Sequence, residues 1–290
     1  MSDVDGEAGG RLDNLQNIEP MLTSLRVLSL STMQMAMNRK TYLNAYRQNY
    51  FKILAYLQHA ARRKLPGTEN AGADRKGKAI LVVLGSDRGM CGTYNKTLAA
   101  LAAAWLEKQT GTSSVLSFGT RLHTALRQND VPHEDAGSIS SGSLPDYRGA
   151  HELVDGWLQG YADETIRTVE VLAFRKPRKG GFKPKTEHLI PQEIENPDDA
   201  GMIEWPEPII EGDPVLMIAF ARDHLTSLLF QEIILESIEA ENTIRYNLLE
   251  EAKDNIEELI ESLTLVVQAE RRQAITEQLQ ELAASAALSE

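Results

Sequence analysis

The chain opens and closes with long stretches in which apolar residues return every three or four positions, and short unbroken apolar runs lie between them. From Arg11 to Lys64 there is one proline and no glycine, and the helix-favouring Leu, Met, Ala, Gln and Arg are frequent. Apolar residues step by three or four through Leu15, Ile18, Leu22, Leu25 and Leu28, and a looser stripe follows through Met35, Tyr42, Tyr46, Ile53, Leu57 and Ala60. That period predicts one long helix over 11–64. Pro20 lacks a backbone donor and clashes with the preceding turn, so a kink or a helix start is expected there. Residues 1–10, glycine-rich and acidic, read as a disordered tail, and Leu65–Lys78 (LPGTENAGADRKGK) as a polar loop.

Residues 79–212 alternate apolar runs with helical patterns. AILVVL reads as a strand buried on both faces, TYNKTLAALAAAWLEKQ as a helix, SVLSF as a strand, TRLHTALRQN as a helix, and AHELVDGWLQGY as a helix before the strand TVEVLAF. The order β-α-β-α-β predicts a small parallel, Rossmann-like sheet with helical crossovers. RKPRKGGFKPK (Arg175–Lys185) is then a basic hairpin or loop, Glu187–Ile194 a further strand, and Asn196–Pro214, rich in Pro, Asp and Glu, a surface connection.

Asp213 and Pro214 suit a helix cap and first helical position, and Val215–Ala287 holds neither glycine nor proline. An unbroken helix of that length runs roughly 110 Å, too long for a domain of this size to bury, so it needs a partner helix. Leu249, Ala252, Ile256, Leu259, Leu263 and Val266 form the expected seam of a left-handed coiled coil. The seam breaks at Glu270, Arg271, Arg272 and Gln273, and an apolar face resumes at Ile275, Leu279, Leu282 and Ala286. The fold class is therefore α/β: an antiparallel coiled coil of the terminal helices (11–64 and 213–290) around a central α/β domain (79–212).

With 290 residues, 42% of them hydrophobic, the chain can bury a large core. A formal charge of −12 argues against general affinity for nucleic acid or anionic bilayers and points to protein partners. A single cysteine excludes an internal disulfide and suits a reducing compartment. The acidic, polar first residues do not resemble a signal peptide, and no apolar run approaches the ~20 residues of a membrane span.

The turn LGSDRGMCGTYN (Leu84–Asn95) after the first strand is the main candidate for chemistry. It lacks the GxxxxGK[ST] of a P-loop and the GxGxxG of a dinucleotide site. Cys91 lies near a helix start and Arg88, both of which lower a thiol pKa, yet none of the six histidines stands in a catalytic pattern with it, so the turn reads first as a joint at a strand tip with Cys91 packed or at an interface. Glu236, Glu239, Glu241, Glu250 and Glu251 read first as a solvated helix face, without the histidines of a metal motif. The basic loop, six Lys/Arg in eleven residues, suits an acidic partner or solvent better than nucleic acid in so acidic a chain.

Ser86-Asp87-Arg88-Gly89-Met90-Cys91-Gly92 with Asn95 is similar to the SDRG-(Leu)-CG-x-x-N segment of the gamma subunits of F-type rotary ATP synthases. Glu236-Ser237, Glu241, Arg245, Asn255, Leu263, Arg271, Ile275-Thr276, Glu281 and Ala286 run ungapped against the same family's terminal pattern, and Asn17, Thr23 and Tyr46 match more weakly. The resemblance implies a non-catalytic central rotor shaft, without cofactor or metal, whose helix pair threads a hexamer of alpha and beta subunits. Its sheet domain would meet the epsilon subunit and the c-ring, coupling ion flow to ATP synthesis or hydrolysis. Membrane association would come only through the complex, at the cytoplasmic face of the cell membrane, and no nucleic acid is involved.

The resemblance also implies site residues. Arg271, Arg272 and Thr276 align with shaft residues that bond to a beta-subunit loop, Arg245 matches an arginine of the same helix, and Leu25 stands where a methionine faces the moving part of beta. Arg88 and Cys91 lie in a segment that approaches the same region. The chain is divergent: Arg272 replaces a usual Gln unless Gln273 takes its place by a one-residue slip, Gln278 replaces Glu, Ser285 replaces Gly, and Leu22-Thr23-Ser24-Leu25 replaces Thr-Lys-Ala-Met. Two other readings stay open, an α/β nucleotide-binding enzyme that dimerises through its helices and a coiled-coil scaffold derived from the gamma family.

Overall fold

The computed structural model describes residues 2–62, 76–138, 144, 147–177, 179–192 and 210–287. In chain order the elements are α1 (Ser2–Arg62), β1 (Lys78–Leu84), α2 (Tyr94–Glu107), β2 (Ser113–Phe118), α3 (Thr120–Gln128), β3 (Glu134–Asp135), α4 (Tyr147–Ala162), β4 (Ile166–Arg175), β5 (Lys183–Ile190) and α5 (Pro214–Ala287). They form two units. Ser31–Ile244 holds the sheet with the adjoining stretches of both long helices; Met1–Leu30 and Arg245–Glu290 hold the other ends of those helices.

The sheet order is β3-β2-β1-β4-β5. Strand β1 lies at the centre and pairs parallel with β2 and β4, Val82 standing opposite both Leu116 and Val171. Because successive side chains point to opposite faces, Ile80, Val82 and Leu84 pack with Val154 and Trp157 of α4 and Phe230, Ile234 and Ile238 of α5. Leu81 and Val83 pack on the other side with Tyr94 and Leu98 of α2 and Leu122 and Leu126 of α3. Both faces are covered, which is why β1 carries an unbroken apolar run.

Two features of the sheet depart from the expected parallel arrangement. Strand β5 is antiparallel to β4 and begins at Lys183, inside the basic stretch, rather than at Glu187. The short connection from Arg175 to Lys183 permits a hairpin but no crossover, and Pro184 with its flanking lysines suits an edge strand. Strand β3 pairs parallel with β2 through two polar residues, too few for a period to reveal. The loops expected at 65–75 and 196–209 and the end of the expected strand at 193–194 lie outside the described residues.

Helix α1 begins at Ser2, so the expected tail is helical; Glu7 and Arg11, one turn apart, form a 2.6 Å ion pair that supports its first turns. It runs through Pro20 without starting there. Helix α5 starts as expected, the Val215 N–H donating to Asp213 Oδ1 at 2.9 Å. No helix of the described residues is long and apolar enough to cross a membrane.

The seam is where the expected pattern and the structure diverge most. In the sheet-bearing unit the inward residues of α1 are Met33, Ala36, Lys40, Leu43, Arg47, Tyr50, Leu54 and Leu57, a strict alternation of three and four. Met35, Tyr42, Tyr46 and Ile53 are exposed, Tyr42 by 78%. The side chain of Ala60 lies outside the described ones. In the other unit Leu15 and Leu22 face inward as expected, joined by Leu12, Glu19, Arg26 and Ser29, while Ile18 and Leu28 are exposed. On α5 Leu249, Ala252, Ile256 and Leu263 keep their places, but Leu259 (50% exposed) and Val266 (46%) yield to Ile260 and Val267.

The displacement has a physical cause. Several seam positions of α1 are occupied by Arg26, Lys40 and Arg47, which a hydrophobicity criterion rejects; each meets a glutamate of α5. The pairings Lys40 with Glu239 and Arg47 with Glu232 step by seven in opposite directions, the mark of antiparallel helices in register. Leu54 and Leu57 of α1 meet Ala221, Leu225 and Leu228 of α5 in a third apolar cluster.

Leu249→Ala is expected to cost about 2–5 kcal/mol, and Leu259→Ala, also apolar and in the same stretch, less than about 0.5 kcal/mol. Thermal unfolding of the two variants distinguishes the observed seam from the one set by apolar spacing.

Candidate functional site

The turn after β1 is a closed joint. The Ser86 N–H donates to Asn95 Oδ1 at 3.0 Å, Asn95 Nδ2 donates to Ser86 Oγ at 2.7 Å, and Ser86 Oγ donates to the Arg88 carbonyl at 2.9 Å. A Cβ on Gly85 would run into the Leu122 side chain and lie 2.9 Å from Asn95 Oδ1, so glycine is required where β1 passes α3. At the start of α3 the Thr120 N–H donates to Asp87 Oδ1 at 3.1 Å and the Arg121 N–H to the Ser86 carbonyl at 3.0 Å. A carboxylate therefore occupies the place at which a helix N-terminus would hold a phosphate. Cys91 is buried, its Sγ 3.4 Å from both Ser86 Oγ and Asn95 Nδ2.

The crevice at the carboxyl ends of β1 and β4 is filled from within. Ser237 of α5 donates from Oγ to the Leu84 carbonyl at 3.4 Å, and Tyr94 Oη lies 2.9 Å from Ser237 Oγ. Tyr94 in turn stacks on Phe174, ring centroids 4.4 Å apart. Only a water-sized recess remains between Leu84, Gly85, Asp87 and the α5 residues Ile234, Ser237, Ile238 and Glu241.

Beside the crevice lies an ion-pair cluster that apolar periodicity does not reveal. Glu236, Glu239 and Glu241, expected on a solvated face, are all buried, and so is Glu232. Glu251 is exposed and Glu250 half-buried. Glu239 pairs with Lys40 and, at 3.6 Å, with Lys176. Glu236 pairs with Arg175 at 2.6 Å and Lys40 at 3.7 Å, and accepts the Lys176 N–H at 3.2 Å. Arg47 Nη1 lies 2.5 Å from Glu232 Oε2. Burial nonetheless pushes the Glu232 carboxyl above its ordinary pKa, with Arg47 and Arg175 opposing the rise. The signal in the sequence was the seven-residue spacing of opposite charges, Lys40 and Arg47 against Glu232 and Glu239.

Among the described residues, serine, histidine and aspartate converge at His151. His151 Nδ1 is 3.0 Å from Ser227 Oγ, and its Nε2 is 3.4 Å from Asp155 Oδ2. This is no nucleophilic triad: Ser227 is fully buried in the middle of α5 and its hydroxyl donates to the Asp223 carbonyl of its own helix at 3.2 Å. Close by, His224 Nε2 lies 3.1 Å from Tyr46 Oη with the Tyr50 ring at 4.6 Å; burial, and secondarily the charge of His151, lower the His224 pKa. No group of three or more potential metal ligands is assembled among the described residues.

The sequence matches the family model described as ATP synthase over residues 7–288. It is 30% identical over 217 residues to the ATP synthase gamma chain of Geotalea daltonii, covering 72% of this chain and 73% of that one. The chain belongs to the ATP synthase gamma family.

Its fold is similar to that of a chain in the OSCP/F1/c-ring assembly of Euglena gracilis mitochondrial ATP synthase in rotational state 3. The TM-score is 0.63 at 11% identity, covering 98% of this chain and 94% of that one. A chain of the Tetrahymena thermophila mitochondrial ATP synthase central stalk/c-ring gives 0.55 at 15% identity, covering 80% and 99%.

In this gamma-family chain the eight sequence-derived site residues do not converge on one site. Arg271, Arg272, Thr276 and Gln278 are exposed on the last part of α5, where Thr276 Oγ donates to the Arg272 carbonyl at 2.8 Å and Arg272 Nε to that of Gln268 at 3.2 Å. Leu25 is half-buried on α1, Arg88 is exposed on the turn, and Cys91 and Arg245 are buried. They form no single reaction centre, which would need groups within hydrogen-bond reach of one another.

Two outcomes follow from this geometry. Cys91 should react with a thiol reagent only when the protein is unfolded, with labelling under native conditions the contrary result. Because the folded-state pKa of His224 is depressed, the unfolded state takes up its proton first as pH falls below about 6.5, and stability is lost there. His224→Gln should therefore lose less stability than the parent between neutral pH and the depressed value, measured by denaturant titration at each pH.

Proposed function

We propose that this chain is the central-stalk rotor subunit of an F-type ATP synthase, coupling ion flow through the membrane sector to ATP synthesis or hydrolysis. The observation that carries this reading is the family match across residues 7–288, which takes in both long helices as well as the sheet. The chain itself is non-catalytic: nucleotide chemistry belongs to the alpha and beta subunits, and here the crevice of the sheet is filled by α5. The epsilon subunit and the c-ring are the partners of the sheet-bearing unit. Association with the cytoplasmic face of the cell membrane is peripheral, through the complex.

Coupling needs only that different rotor orientations make contacts of different energy with the catalytic conformations, so that each orientation selects one set. Arg271, Arg272, Thr276 and Gln278 are the polar contacts proposed for the beta subunits, with Leu25, Arg88, Cys91 and Arg245 contributing elsewhere on the shaft. Ile275, Leu279 and Leu282 on the same part of α5 are 56–65% exposed, an apolar surface that a surrounding hexamer would cover.

Coexpression with the alpha and beta subunits of its own operon should give a complex whose ATPase activity exceeds that of alpha and beta alone; absence of a complex refutes the reading. Within the complex, Arg271→Ala combined with Thr276→Ala should lower ATP turnover about tenfold, the effect of losing one charge-assisted hydrogen bond of about 1.5 kcal/mol from a rate-limiting step.

A further inference from the structure

In open α/β sheets, ligands bind outside the carboxyl ends of the strands at the point where strand order reverses. Here that point lies between β1 and β4, because β2 and β3 extend the sheet to one side and β4 and β5 to the other. The occupant is α5. Its Ser237 meets the carboxyl end of β1 through the Leu84 carbonyl, and its Glu236 meets the carboxyl end of β4 through Arg175 and the Lys176 N–H.

We propose that this crevice has become a helix socket, and that Lys40, Arg175 and Lys176, gripping Glu236 and Glu239, form a clamp that passes torque between the helix pair and the sheet. The proposal rests on the rotor reading and adds a set of positioning residues to it.

The arrangement of charges separates a clamp from ordinary core packing. The Glu239 side chain is 3% exposed and is held from two sides, by Lys40 of α1 and by Lys176 just beyond β4. Lys40 also reaches Glu236, so one cation of α1 ties both glutamates of α5, while each glutamate is bound again by the β4 end of the sheet. Three elements distant in sequence are thereby joined through two carboxylates.

Apolar contact is non-directional and lets a helix turn about its axis at little cost, as long as area stays buried. Charge-assisted hydrogen bonds are directional, and breaking one partner of a buried pair strands the other. The clamp therefore resists the rotation that a socket lined only by Phe230, Ile234 and Ile238 would permit. The same logic accounts for charged residues in a heptad seam, where leucine would pack as well.

The test uses the assembled complex and the full chain. In the complex, Glu239→Gln should lower ions pumped per ATP hydrolysed at least about tenfold while hydrolysis persists, with Lys40→Arg retaining the parental ratio. An unchanged ratio in Glu239→Gln overturns the proposal, since a merely structural glutamate would alter yield or stability without uncoupling pumping from hydrolysis. Hydrogen exchange on the full chain gives a second measurement. Glu236→Gln should accelerate exchange of the Lys176 amide and its hairpin about tenfold and leave β1 and β2 protected; equal exchange in variant and parent also overturns the clamp. A parent chain that does not assemble with alpha and beta subunits overturns the rotor reading instead, and exchange decides the clamp in either case.

Discussion

From Phe230 to Asn242 every residue of α5 is buried, and the rest of the structure answers to that constraint. A helix covered on all sides ordinarily carries apolar residues all round. This one carries Gln231, Glu232, Glu236, Ser237, Glu239, Glu241 and Asn242, and buried carboxylates are tolerated only when cations or donors meet them. The partners come from both sides: Lys40 and Arg47 from α1, Arg175 and Lys176 from the β4–β5 hairpin, and Tyr94 for Ser237. The basic stretch from Arg175 to Lys185 is in part the complement of α5.

The same constraint sets what the sheet can do. A parallel sheet with a strand-order reversal is built to take a ligand at that place, but α5 lies there, and Asp87 caps the helix start where an anion would sit. The Gly85 turn lets β1 run tightly past α3 and exposes Arg88 at the surface. A shared architecture thus carries different contents at the crevice, which is why function is argued from the site and not from the fold.

Much of the architecture was legible in the sequence. The apolar runs of β1, β2 and β4, the intervening helices and the Asp213-Pro214 start of α5 depend on local period and capping, which neighbours in sequence report directly. The antiparallel β5 was less legible because its polar edge residues have no apolar period, and β3 was invisible at two residues. For the candidate site, the turn's lack of phosphate-binding residues and of a base beside Cys91 was legible, because both are features of local motif and spacing. The buried state of Glu236 and Glu239 was not legible, because a glutamate in isolation is solvated and only a cation brought from elsewhere reverses that expectation.

By itself the sequence determined that two long helices must find partners, that a βα domain lies between them, and that the chain carries a rotary family's pattern. Its reach ended where a choice depended on what stood opposite. Leu259 and Ile260, or Val266 and Val267, are equally apolar neighbours, and the facing helix alone selected Ile260 and Val267 for the seam. Likewise Arg26, Lys40 and Arg47 are seam residues only because glutamates of α5 meet them. Periodicity is a property of one strand of chain, whereas the cost of burying a charge depends on its partner, and that partner is supplied only by the tertiary structure.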